Sequence, residues 1–154
     1  MVASREANEI VTLPSVSTIA DGIAVKTPGS LTFDIIQKYV DDIVSVTDTE
    51  IAHTAYLLLQ RAKILAEPAG VTSVAAALHN KVNLKGMNVV PVVSGGNINM
   101  QILEQIIEKG MVEEGLRATG AEGVVLLPEG AARDHKGRYY HYELQSFHRC
   151  LSLR

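Results

Sequence analysis

Ser94-Gly95-Gly96-Asn97 directly follows the apolar run Val89-Val90-Pro91-Val92-Val93. A strand ending in a hydroxyl and two glycines sets a small polar donor at the strand's carboxyl end. In open α/β sheets that is where ligands bind. The glycines let a flat ligand approach the backbone, which a Cβ would block. Two upstream segments carry further candidates: Thr18-Ile19-Ala20-Asp21-Gly22-Ile23-Ala24-Val25 with Pro28-Gly29 behind it, and Glu67-Pro68-Ala69-Gly70. Glu67 is either a site carboxylate or a first-turn acid stabilised by a helix dipole. Asp21 either lines a pocket or caps a helix.

The elements that must position these residues alternate between strand and helix up to about residue 115. Glu9–Leu13, Asp42–Val46 and Asn88–Val93 read as strands. Ala20-Asp21-Gly22 opens a short helix or turn, and Pro28-Gly29 punctuates it. Leu31, Ile35, Ile36, Tyr39 and Val40 form a helical apolar stripe. Thr47 and Glu50 have the spacing of a capping box, with Ile51, Ala55, Leu58, Leu59 and Ala62 as the buried face behind it. Gly70–His79 is a helix of small residues, suited to close packing. Asn97 or Asn99 caps a last helix through Met100, Leu103, Ile107 and Met111. This rhythm predicts an α/β fold with three layers, a mostly parallel sheet having helices on both faces. Pro91 conflicts with it locally, because central strands exclude proline.

Composition bounds the rest. The chain has 154 residues, a formal charge of −3 and one cysteine, Cys150. One cysteine excludes an internal disulfide framework and fits a reducing cytoplasm. The small charge gives no reason to expect nucleic acid or an anionic membrane as partner. No segment approaches the roughly 20 apolar residues of a membrane helix, and the Met1–Glu6 start has no signal-peptide architecture.

T-I-A-D-G-I-A-V, E-P-A-G and S-G-G-N-I, in this order, resemble the C-terminal part of the catalytic domain of threonine ammonia-lyase (threonine dehydratase). That family belongs to the fold-type-II pyridoxal-phosphate enzymes, and the resemblance runs from about Met1 to about Glu114. It implies pyridoxal phosphate as cofactor, a small amino acid as substrate, and conversion of L-threonine to 2-oxobutanoate and ammonia through an aminocrotonate intermediate. It also implies a role in amino-acid metabolism, on the route to isoleucine, and association into a homo-oligomer. The cofactor-binding residues it implies are Ser94, Gly95, Gly96 and Glu67. Ser94 would face the pyridine nitrogen, the two glycines would admit the ring, and Glu67 would lie at the ring edge. A hydroxyl donates a hydrogen bond without protonating the ring, as an aspartic acid would. A ring left unprotonated favours losing a β-hydroxyl over lingering as a stabilised carbanion.

Two parts of that family's machinery have no match. Its cofactor is tethered through a lysine in an S-F-K-x-R-G context, and none of Lys26, Lys38, Lys63, Lys81, Lys85, Lys109 and Lys136 has those neighbours. No run of three or four glycines offers backbone N–H groups for a phosphate. No catalytic residue is therefore assigned. Some relatives hold a divalent cation, but Ala3 stands where a carboxylate would lie, so no metal is expected. Asn99 replaces an acid common after S-G-G-N-I and keeps only its capping.

Residues 115–154 form a separate tail, read as a remnant of a regulatory domain or its frame-shifted product. Val124–Leu127 reads as a short strand. His135, His141, His148 and Cys150 match no zinc spacing. His79 reads as a partner of a helix C-terminus. Two functions stay open. In the first, residues 1–114 are part of a threonine ammonia-lyase, inactive until a missing N-terminal part is supplied. In the second, the chain is a non-catalytic remnant, or an oligomerisation or binding module.

Overall fold

The computed structural model describes residues 1–115 with their side chains, followed by the backbone of four short strands. Five α-helices occupy the first part: α1 (Val2–Ala7), α2 (Ser30–Tyr39), α3 (Asp48–Leu57), α4 (Thr72–Leu78) and α5 (Met100–Glu113). 3-10 turns at Asp21–Ile23 and Pro68–Val71 separate them, and α3 runs on into a π-helical turn, Leu58–Ala62. The strands β1 (Arg117–Gly120), β2 (Gly123–Leu126), β3 (Ala131–Arg133) and β4 (Tyr139–His141) pair as two antiparallel hairpins, β1 with β2 and β3 with β4. β2 covers most of the strand expected at Val124–Leu127. His135, His148 and Cys150 lie outside the described residues.

The capping box forms as its spacing predicts. The Thr47 hydroxyl accepts from the Glu50 amide, and the Glu50 carboxylate accepts from the Thr47 amide at 2.8 Å. Lys81 Nζ lies 2.7 Å from the same carboxylate. Lys81, then the capping bond, pull the Glu50 pKa down to about 2. Asn99 is the cap of α5, its side chain accepting from the Ile102 amide at 2.8 Å. α1 has no counterpart in the sequence pattern. Buried Ser4 holds it in place by accepting from the Val11 amide at 3.0 Å.

α3 is the centre of the core. Ile51, Ala52, Thr54, Ala55, Tyr56 and Leu57 are all buried, so the helix is enclosed on most sides, not on one stripe. Ala62, expected on that stripe, is exposed, because the π-turn changes the register of the chain beyond Leu57. Ala20, Ala66, Val71 and Ile106 complete the cluster. Small residues permit this approach. A Cβ on Gly110 of α5 would fall 2.2 Å from Cγ of Tyr56.

The expected sheet differs. Glu9–Leu13, Asp42–Val46 and Asn88–Val93 are extended, but no ladder joins them, and the described residues contain no parallel pairing. A parallel strand is stabilised only by neighbours on its edges. Within residues 1–115 those edges meet none. The α2 stripe differs in the same sense: the helix forms, yet Leu31, Ile35 and Tyr39 are exposed while Phe33 is buried.

Candidate functional site

The three sequence motifs, which begin at Thr18, Glu67 and Ser94, meet at one place. The 3-10 turn Pro68–Val71 begins at proline, whose fixed φ suits a first helical position, and Glu67 precedes it as N-cap. The Glu67 side chain makes no capping bond. Instead its carboxylate fills the space above Gly95, where a Cβ would lie 2.2 Å from Cδ. Gly95 has φ +71°, a left-handed conformation that glycine adopts without steric cost. Its lack of a side chain thus makes room for Glu67. A Cβ on Gly96 would meet only the Leu65 carbonyl, at an ordinary 3.6 Å.

Gly70 sets the position of Ser94. The Ser94 amide donates to the Gly70 carbonyl at 3.2 Å, and a Cβ on Gly70 would sit 1.5 Å from the Ser94 carbonyl oxygen. Two residues earlier, the Val92 carbonyl accepts from the Ser73 hydroxyl at 2.6 Å. The end of the extended run is therefore pinned to the start of α4. Pro91 is exposed, and its missing N–H interrupts no pairing among the described residues. Ser94 itself is exposed.

Asp21 opens its 3-10 turn and caps no helix. Gly22 lies against Ala69 and near Glu67, with an added Cβ at 3.3 Å from Ala69 Cβ and 3.8 Å from Glu67 Oε1. The turn is held by a residue that sequence reasoning missed. Asp48, in the first turn of α3, accepts from the Thr18 hydroxyl at 2.5 Å and from the Ile19 amide at 3.2 Å. The Ala20 amide in turn donates to the Thr18 hydroxyl at 3.1 Å. Asp48 stands inside the capping box that the spacing reveals, but a bond across 30 positions leaves no local pattern.

Pyridoxal phosphate has parts that these residues suit and parts that they do not. The exposed Ser94 beside Gly96, which no side chain covers, suits the edge of a flat aromatic ring. The Glu67 carboxylate, filling the space above Gly95, brings an acidic group to the same place. No lysine with the family's neighbours exists in the 154 residues to tether an aldehyde. The fit is to one wall of a cofactor pocket.

Comparisons with known proteins bear on the family of the chain. An L-threonine ammonia-lyase of Thermotoga maritima is 44% identical over 137 residues, which is 89% of this chain and 34% of that enzyme. One from Geobacter sulfurreducens is 43% identical over 112 residues, 73% of this chain and 28% of the enzyme. A catabolic L-threonine dehydratase of Staphylococcus aureus is 45% identical over 98 residues, 62% of this chain and 28% of the enzyme. The chain thus spans about a third of the length of these relatives. With 137 of its residues aligned, the likeness to the Thermotoga enzyme continues past Gly115. Among solved structures, maize serine racemase superposes with a TM-score of 0.59 at 34% identity, covering 70% of this chain and 35% of that one. The processed form of threonine deaminase isoform 2 from Solanum lycopersicum gives 0.60 at 27%, covering 68% and 31%. The backbone of residues 1–115 is thus similar to about a third of each of these enzymes, without the sheet. Residues 1–95 match the family described as pyridoxal-phosphate dependent enzyme, a span that takes in Gly22, Glu67, Ser94 and Gly95, and the chain belongs to that family.

Proposed function

We propose that this chain supplies the serine-side wall of the cofactor pocket of an L-threonine ammonia-lyase, and that it turns over substrate only when joined by the part carrying the tethering lysine and phosphate loop. The observation that carries the reading is the meeting of Gly22, Glu67, Gly70, Ser94 and Gly95 in one place. The names and identities of the relatives support the choice of threonine.

Bound pyridoxal phosphate supplies the electron sink for removing ammonia and the β-hydroxyl. In this reading Ser94 donates a hydrogen bond to the ring nitrogen and leaves it unprotonated. Gly96 would keep a side chain off the ring's path, while Gly95 makes room for Glu67, whose carboxylate would lie at the ring edge. A hydrogen bond or two, each about 0.5–1.5 kcal/mol net, is too little to retain the cofactor without tether and phosphate loop. The complementary part also supplies strand neighbours. Glu9–Leu13, Asp42–Val46 and Asn88–Val93 then become strands of a three-layer, mostly parallel sheet, in an enzyme working in the cytoplasm.

Co-expression with the portion of the Thermotoga enzyme that precedes the matched region tests this. Deamination of threonine by the pair, lost from either part alone and reduced about 100-fold or more by Ser94→Ala, is the expected result. A co-purifying pair without activity sinks the reading. A second reading, an association module without chemistry, draws on the exposed Leu31, Ile35 and Tyr39 of α2. It predicts self-association that Leu31→Lys abolishes, with or without the complementary part.

A further inference from the structure

The first turn of α3 carries two acids that reach different segments. Asp48 and Glu50 stand two positions apart, about 200° around a helix, so their side chains leave on opposite sides. Glu50 meets Lys81 Nζ just beyond the end of α4, and Lys81 is the cation at that end. His79, read in the sequence as the helix-terminal partner, is the C-cap of α4. Burial first and His53 next hold its ring below the ordinary histidine value, which corrects that reading.

Asp48 reaches the other way, to Thr18–Ala20. Oδ1 accepts from the Thr18 hydroxyl and Oδ2 from the Ile19 amide. The Thr18 oxygen, its hydrogen directed at Asp48, accepts from the Ala20 amide. One carboxylate thus orders three successive residues through bonds that its charge strengthens. Ala20 is fully buried, and its carbonyl starts the next turn by accepting from the Ile23 amide at 3.0 Å. The Asp21 carbonyl accepts from the Ala24 amide at 3.0 Å. Within the turn Asp21–Ile23 no residue is buried, and Ile23 is 57% exposed. Packing of its own side chains therefore does little to fix it.

We propose that Asp48 is a positioning residue of the pocket wall: through Thr18 and Ile19 it sets the turn Asp21–Ile23, and with it the seat of Gly22 against Ala69 and Glu67. That this surface is a cofactor wall rests on the function proposed above, whereas the clamp is a property of the chain alone. The competing role is that of a first-turn acid acting only on the α3 dipole. That role needs neither Thr18 nor the turn.

NMR and hydrogen exchange on the full chain test the clamp. The wild-type chain is expected to show a cross-peak between Gly22 Hα and the Ala69 methyl group, which face each other. Thr18→Val should weaken it and quicken exchange at the Ile23 and Ala24 amides about tenfold. The Ile51 amide of α3, which donates to Thr47, should keep its wild-type rate in that variant. Asp48→Asn, which can accept at one atom only, should quicken the same two turn amides. Thr18→Ser keeps the hydroxyl and should behave as wild type. Lys81→Met removes the other acid's partner and should leave the turn unchanged. Absence of the cross-peak from the wild-type chain, turn exchange unchanged in Thr18→Val, or equal quickening in Lys81→Met overturns the proposal. In the pair with the complementary part, Thr18→Val should lower threonine deamination about tenfold and Thr18→Ser should restore it. An active pair that Thr18→Val leaves unchanged overturns the positioning role. An inactive wild-type pair sinks the proposed function instead, and the exchange pattern still decides the clamp.

Discussion

The α3–α5 contact and the run Val89–Val93 are built from similar aliphatic residues, yet only the first is buried. Ile51 and Ile106 are each 2% exposed, whereas Val90 is 87% and Val92 70% exposed. The difference lies in the backbone. A helix satisfies its own hydrogen bonds, so two helices need only complementary faces. An extended segment keeps half its bonding groups for a neighbour, and its side chains are covered only when one arrives. One region is finished within this chain, and the other is not.

The contrast can be broken most directly in the finished region. Ile106→Ala should cost about 3 kcal/mol through the cavity it leaves, read as a lowered midpoint in urea. Gly70→Ala should cost about 2 kcal/mol, because its Cβ meets backbone that cannot rotate away. It should also remove exchange protection at the Ser94 amide. Thr47→Ala should cost about 1 kcal/mol through loss of the cap. The Glu50 pair adds a pH signature. Its carboxyl titrates at about 2, not 4.5, so its contribution is present above the ordinary value and lost as pH falls toward 2. Lys81→Met should flatten that acid arm. In the unfinished region, Val90→Thr should change stability by less than about 0.5 kcal/mol in the chain alone. The same substitution should weaken assembly with the complementary part severalfold, which sharpens the contrast.

Local signals were legible. The Thr47–Glu50 box, the Asn99 cap and the α5 span follow from spacing, since each depends on residues within a turn of one another. The site was legible as three motifs, but their mutual geometry was not. Glu67 filling the space over Gly95, and Asp48 holding Thr18 and Ile19, are contacts between distant segments. Periodicity misled at Leu31, Ile35 and Tyr39. It identifies a face that prefers burial, without showing whether this chain contains the surface that buries it.

Absorbance of the isolated chain with added pyridoxal phosphate tests the central claim most directly. One wall without a tether predicts the spectrum of free cofactor, unchanged by Ser94→Ala and lost on gel filtration. A stable band near the visible edge that travels with the isolated chain, and that borohydride fixes to one of its lysines, would contradict the account.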